Sequence, residues 1–263
     1  VIEDSLCEIL MKRPLGVTSL EEIKEWCNNQ LDHYASKTLE QGKILWDQGL
    51  WHREGQSWDD VELESIKYRL NCGLDLFLEE VEACFKSNGG PFLEQYRKGE
   101  SVFEIPSPAW GEEPKFPIPD KVNNFALRKW ALDEKMEWLN DDEPVSWLEA
   151  WEIARPWVKD SRVYQPQRLF HNEGWAAGEL DLVLRWDGRI RLVDIKSGNP
   201  ESKFAASLIH QLRFYSWLWK ETHNGELVDG LEGWYLDGAH RVCYDSPSKK
   251  EYQSMTEEFS LVH

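Results

Sequence analysis

Between residues 61 and 86 the apolar positions Val61, Leu63, Ile66, Leu70, Leu74, Phe77, Leu78, Val81 and Phe85 recur at intervals of three and four. That is the period of an amphipathic helix. Asp59 and Asp60 stand where N-terminal caps belong, and Ser87-Asn88-Gly89-Gly90-Pro91 stops the pattern. Residues 19–47 are polar with interspersed Leu, Ile and Trp, and carry no turn signal before Gln41-Gly42, so they too predict a helix. The five prolines of residues 104–120 mark a loop or linker. Helical spacing resumes over about 122–140 and 145–154.

From residue 161 the period changes to two. Strands are expected over 162–170, 176–186 and 189–196, and a helix over 202–222 entered through Asn199-Pro200. Short strands at 231–236 and 241–244 flank Asp237-Gly238, and 246–258 closes the chain as a helix. The pattern predicts a helical N-terminal region, 1–155, packing on an α/β core, 156–263, with helix 61–86 assignable to either. The core is a central mixed β-sheet flanked by helices. Asp187-Gly188 is a preferred dipeptide for a two-residue type I′ hairpin turn. Such a turn sets Asp181 opposite Asp194 and Glu179 opposite Lys196, all on one face. The other face then carries Leu180, Leu182, Leu184, Trp186, Val193 and Ile195.

With 263 residues, 41% hydrophobic content and 15 Trp, the chain can build a real core, which most of the Trp are expected to fill. No run of about 18 apolar residues is present, so no membrane span is expected. The opening VIEDSLCEIL carries acids where a secretion signal has lysines, and it lacks an initiator Met, as a fragment or processed chain would. Five scattered Cys fit reduced thiols, hence a cytoplasmic, nucleoid or nuclear protein rather than a secreted one. The net charge of −18 by itself counts against nucleic acid as a partner. Residues 155–220 differ: 11 Lys and Arg against 7 acids make a local +4, leaving −22 elsewhere. The hairpin lies inside this basic island.

Two carboxylates facing each other across a hairpin repel, and removal from water makes the repulsion worse. A divalent cation resolves it: Mg²⁺ takes oxygen ligands, typically one or two carboxylates plus phosphate oxygens. A lysine two residues from Asp194 on the same face can then hold a water or a phosphate oxygen. This layout suits metal-assisted phosphodiester hydrolysis. Acid-x-Lys alone carries little information, since Glu22–Lys24, Glu113–Lys115, Asp133–Lys135 and Glu201–Lys203 also fit it. None of those ends an apolar strand with a partner acid across a hairpin.

Gly178 and Asp181, then Asp194-Ile195-Lys196, then Gln211 and Tyr215 four apart on a helix, resemble the PD-(D/E)XK nuclease superfamily. The likeness is to its RecB-like branch, which includes nuclease domains of recombination helicase–nucleases, CRISPR-associated RecB-like nucleases and viral exonucleases. The resemblance implies a restriction-endonuclease-like fold and a Mg²⁺- or Mn²⁺-dependent deoxyribonuclease, an exonuclease acting in recombination, repair or processing. It implies metal binding by Asp181, Asp194 and the Ile195 backbone carbonyl, and activation of water by Lys196. Gln211 and Tyr215 would support the site or touch DNA. Glu179 is either a further ligand or the partner of Lys196, the second being preferred. DNA is the implied substrate, with a helicase or other recombination protein as a further partner and no membrane.

Many members of that branch add a His or an acid from a helix preceding the sheet. Helix 61–86 is the natural source, offering Asn71, Asp75, Glu79 and Glu82 but no His. The strand before Gly178 holds Gln165 and Gln167 where relatives often carry Glu, and His171 and Glu173 lie closer to the motif. Only Cys243 follows the Gln-Tyr helix, so no iron–sulfur cluster is expected. No G-x-x-x-x-G-K-[ST], HExxH or paired CxxC is present. Two alternatives are a catalytically silent DNA-binding or structural module of the same fold, and a glycoside hydrolase with stacking Trp residues. The lysine and the Gln-Tyr helix count against the second.

Overall fold

The N-terminal half folds as helices because each segment buries one apolar stripe. Helix α1 (Ile2–Leu10) buries Leu6, Cys7, Ile9 and Leu10. Helix α2 (Leu20–Asp47) starts at Ser19, whose hydroxyl accepts the Glu22 N–H at 3.2 Å, and runs straight through Gly42. Helix α3 (Leu63–Lys86) follows the expected stripe and ends in Asn88, Gly89 and Gly90 at positive φ. Helices α4 (Leu93–Arg97) and α5 (Trp147–Ala154) follow, the latter opened by a Ser146/Glu149 capping box. This computed structural model describes residues 1–50, 57–98, 143–158, 168–171, 173–201 and 205–262. The proline-rich stretch 104–120, the helix expected over 122–140 and residues 162–167 and 202–204 lie outside them.

Five strands form the main sheet: β1 (Trp157–Val158), β4 (Leu182–Leu184), β5 (Arg191–Lys196), β6 (Gly230–Tyr235) and β7 (His240–Asp245), in that spatial order. β5 and β6 are parallel, joined by helix α6 (Ala205–Thr222), and the other neighbours are antiparallel. Strands β2 (Arg168–Phe170) and β3 (Ala177–Glu179) pair separately. Helix α7 (Lys249–Val262) closes the chain. The mixed sheet flanked by helices is the expected architecture.

The two sheet faces bury different helices. Leu182, Leu184, Val193, Ile195 and Trp234 share one core with Leu70, Leu74, Phe77, Val81 and Trp151 of α3 and α5. Val183, Leu192, Leu231 and Tyr235 pack with Leu208, Leu212, Trp217 and Trp219 of α6 and Tyr252 and Met255 of α7. Trp151, Trp217, Trp219 and Trp234 are fully buried, so these four fill core rather than line a cleft. The approach of α6 to the sheet is close: a Cβ on Gly233 would stand 2.4 Å from Leu208 Cδ2.

Three expectations about the hairpin and one about α3 need correction. The register holds, with Leu182 opposite Val193 and Leu184 opposite Arg191. The turn is not type I′, which requires positive φ at both central residues. Here the Gly188 N–H donates to the Arg185 carbonyl at 2.9 Å, and only Gly188 has positive φ, at 81°. The arm 176–186 is not one strand either. It bends at Leu180-Asp181, so β3 leaves the sheet for β2 and Leu180 joins the α6-side core, not the face of Leu182. Finally, Asp59 and Asp60 do not cap α3. They sit in a separate 3₁₀ turn (Trp58–Asp60) capped by Ser57, and extended Val61 carries them away from the helix.

Candidate active site

The end of β5 outruns its neighbour. β4 begins at Leu182, opposite Val193, while β5 continues to Lys196. Beyond Val193 the β4-facing edge of β5 therefore lacks a backbone partner from β4. The Ile195 N–H on that edge donates instead to Asp181 Oδ2, at 2.7 Å. N–H and C=O of one strand residue point the same way, so the Ile195 carbonyl faces this edge too. The bend that broke the expected strand is what frees Asp181 to do this.

Asp194 and Lys196 project from the α6 face of β5, with Asp194 beside Gly233 of β6. Asp194 is 2% exposed. Lys196 Nζ lies 2.6 Å from Asp194 Oδ2, an ion pair with a buried carboxylate. Burial drives the Asp181 carboxyl well above the usual carboxylate range; Glu3 and Asp194 push further, and the Ile195 N–H offsets part. Burial likewise raises Asp194, with Lys196 opposing and Glu3 adding to the rise.

On α6, Gln211 Oε1 accepts from Lys196 Nζ at 3.0 Å, and Gln211 Nε2 donates to the Tyr215 hydroxyl at 2.9 Å. Burial raises the Tyr215 phenol. The Tyr215 ring lies over Gly178, where an added Cβ would meet Cε1 and Leu218 Cδ2 at 3.0 Å. A side chain at 178 would wedge β3 off α6. The glycine three residues before Asp181 therefore has a packing reason.

Glu179 does not face Lys196. With β3 out of the main sheet, its register partner is Arg168 of β2. Glu3 in the first turn of α1 lies close enough to the aspartates for its charge to raise both carboxyls. The four candidates on α3 have partners of their own. Asn71 donates to Asp75 at 3.0 Å, Glu79 pairs with Arg241 at 3.1 Å, and Glu82 pairs with Lys86 at 2.6 Å. His171 stacks on Trp217, and Glu173 accepts from Trp175, so both brace the β2–β3 turn. Gln165 and Gln167 lie outside the described residues.

The described cations of the basic island have acidic partners. Arg155 pairs with Glu152, Arg185 with Glu226, Arg189 with Asp187, Arg191 with Glu80, Lys196 with Asp194, Arg213 with Glu251 and Lys220 with Glu221, five of these acids coming from outside the island.

The donor set suits a hard divalent cation. Asp181 and Asp194 offer buried carboxylate oxygens, raised toward the protonated form by that burial, beside a carbonyl on an open strand edge. Among the described residues no group of three or more His, Cys, Asp or Glu side chains encloses a metal position by itself. Substrate oxygens and water would have to complete the shell, as Mg²⁺ commonly requires.

A family model for the PD-(D/E)XK nuclease superfamily matches residues 121–260, more than half of the chain. No curated protein matches it. No solved structure matches it.

Proposed function

The chain belongs to the PD-(D/E)XK nuclease superfamily, and from that premise we propose that it hydrolyses DNA phosphodiester bonds with Mg²⁺ or Mn²⁺, as a RecB-like exonuclease in recombination, repair or DNA processing. The observation that carries this is the meeting of Asp181, Asp194 and Lys196 on one face at the end of β5, with Lys196 bonded to Gln211. Asp181, Asp194 and the Ile195 carbonyl are the cation's ligands. Bound there, the cation supplies Lewis acidity toward the phosphodiester and a lower pKa for water. Lys196 orients the attacking water and stabilises charge developing on the phosphate oxygens. Gln211 holds the ammonium and Tyr215 holds the Gln211 amide, so the lysine is pre-positioned. The α6 Gln-Tyr pair supports the RecB-like assignment. A helicase or other recombination protein that delivers DNA ends is the partner this reading favours.

End-labelled linear and covalently closed circular DNA, incubated with Mg²⁺, Mn²⁺ or EDTA, test the proposal. Loss of linear DNA alone, dependent on metal and reduced about 100- to 10,000-fold by Lys196→Ala, is expected. Cleavage of the closed circle would replace the exonuclease with an endonuclease. No cleavage with any metal would favour the silent DNA-binding module.

A further inference from the structure

The open edge of β5 has a second side-chain guest. β5 ends at Lys196 and Ser197 follows in a bend; the alternation that turns the Ile195 backbone groups toward the side β4 has left, continued by one step, assigns that side to the Ser197 carbonyl. Asp181 takes the first position through the Ile195 N–H. The Ser197 carbonyl accepts Arg69 Nε of α3 at 2.9 Å, across 128 residues of sequence. The same guanidinium is tied to its own helix, since Arg69 Nη1 donates to the Ser65 carbonyl at 3.3 Å. On the opposite edge, the Lys196 carbonyl accepts the Leu236 N–H at 2.8 Å and the Gly198 carbonyl accepts the Asp237 N–H at 3.2 Å. Three successive carbonyls, at 196, 197 and 198, are thus held alternately by the β6 exit and by Arg69. Without Arg69, the segment leaving Lys196 is fastened on one side only.

We propose that Arg69 is a positioning residue: it replaces the missing β4 partner at Ser197 and so fixes where β5 presents the Ile195 carbonyl and the Lys196 ammonium. The role rests on the nuclease reading above. It uses guanidinium geometry, because one planar group must reach Ser197 while staying anchored on Ser65. A lysine offers a single flexible point charge and can restore the Ser197 bond only in part. Arg69 touches neither aspartate in this account; it acts through the backbone.

The test compares full-length wild type, Arg69→Ala and Arg69→Lys. Amide exchange over residues 194–199, Mn²⁺ affinity by calorimetry, and kcat and KM on end-labelled linear DNA are measured, with thermal unfolding to confirm a folded chain. Arg69→Ala is expected to speed exchange over 194–199 by about tenfold or more. It should lower kcat by about 10- to 100-fold at nearly unchanged KM and weaken Mn²⁺ binding. Arg69→Lys should fall between. A folded Arg69→Ala protein with wild-type exchange and kcat overturns the inference and leaves the nuclease reading standing. An equal loss with Lys and Ala, confined to KM, also overturns it, because that would mark a phosphate contact. Wild type that neither binds Mn²⁺ nor cleaves DNA overturns the nuclease reading, and this inference with it.

Discussion

At Asp181 one carboxylate both closes a backbone gap and faces two other acids, Glu3 and Asp194. The consequence is a pH dependence of the metal-free fold. Asp181 and Asp194 hold their protons in the folded chain at pH values where the unfolded carboxyls, at about 3.9, have released them. Stability therefore falls as pH rises from the unfolded value through the raised folded ones. Asp181→Asn keeps an oxygen for the Ile195 N–H and removes the charge. In EDTA it should raise Tm at neutral pH by a few degrees, at roughly 2–4 °C per kcal/mol, and the gain should shrink toward pH 4. Thermal scans from pH 4 to 8 check this; parallel curves for variant and wild type would contradict it. Asp181, Asp194 and Lys196 were legible in the sequence because charged residues interrupt two apolar runs at a spacing of two. Glu3 was not, because an acid in the first turn of a helix is already explained by the helix dipole.

Helix α3 meets the sheet through charge as well as through apolar packing. Glu80, 4% exposed, accepts from Trp186 Nε1 at 2.6 Å and pairs with Arg191 of β5 and Arg241 of β7. Glu232 of β6 joins them, 2.9 Å from Arg191. Burial alone would raise the Glu80 carboxyl, but the two arginines hold it down at about 2. Its contribution is present above about 4.5 and is lost as pH falls toward 2, a window below that of Asp181. Glu80→Ala leaves two guanidinium groups buried without this partner and should cost about 3–5 kcal/mol, read from denaturant unfolding at pH 7. A loss below about 1 kcal/mol would mean that solvent already screens the network. The helical period of α3 could be read from apolar spacing, and the register of β4 with β5 from the position of Asp187-Gly188, which holds although the turn type differs. The bend at Leu180-Asp181 could not. It arises where β3 trades the main sheet for β2 and lays Gly178 under Tyr215. That exchange is a tertiary contact with no local signal.

Across the whole molecule, the N-terminal helices reach the candidate site twice, through Glu3 of α1 and Arg69 of α3. No turn signal or composition shift announces either approach, because both depend on how the helices stack on the sheet. The chain carries a net charge of −18, and the island cations among the described residues have acidic partners. Asp181 and Asp194 would hold the cation on which the proposed hydrolysis depends. Calorimetric titration of Mn²⁺ into the metal-free protein at neutral pH tests this most directly, comparing wild type with the double variant Asp181→Asn/Asp194→Asn. Saturable Mn²⁺ binding with proton release is expected of wild type, and none of the double variant. Equal binding by both, or none by wild type, would contradict it.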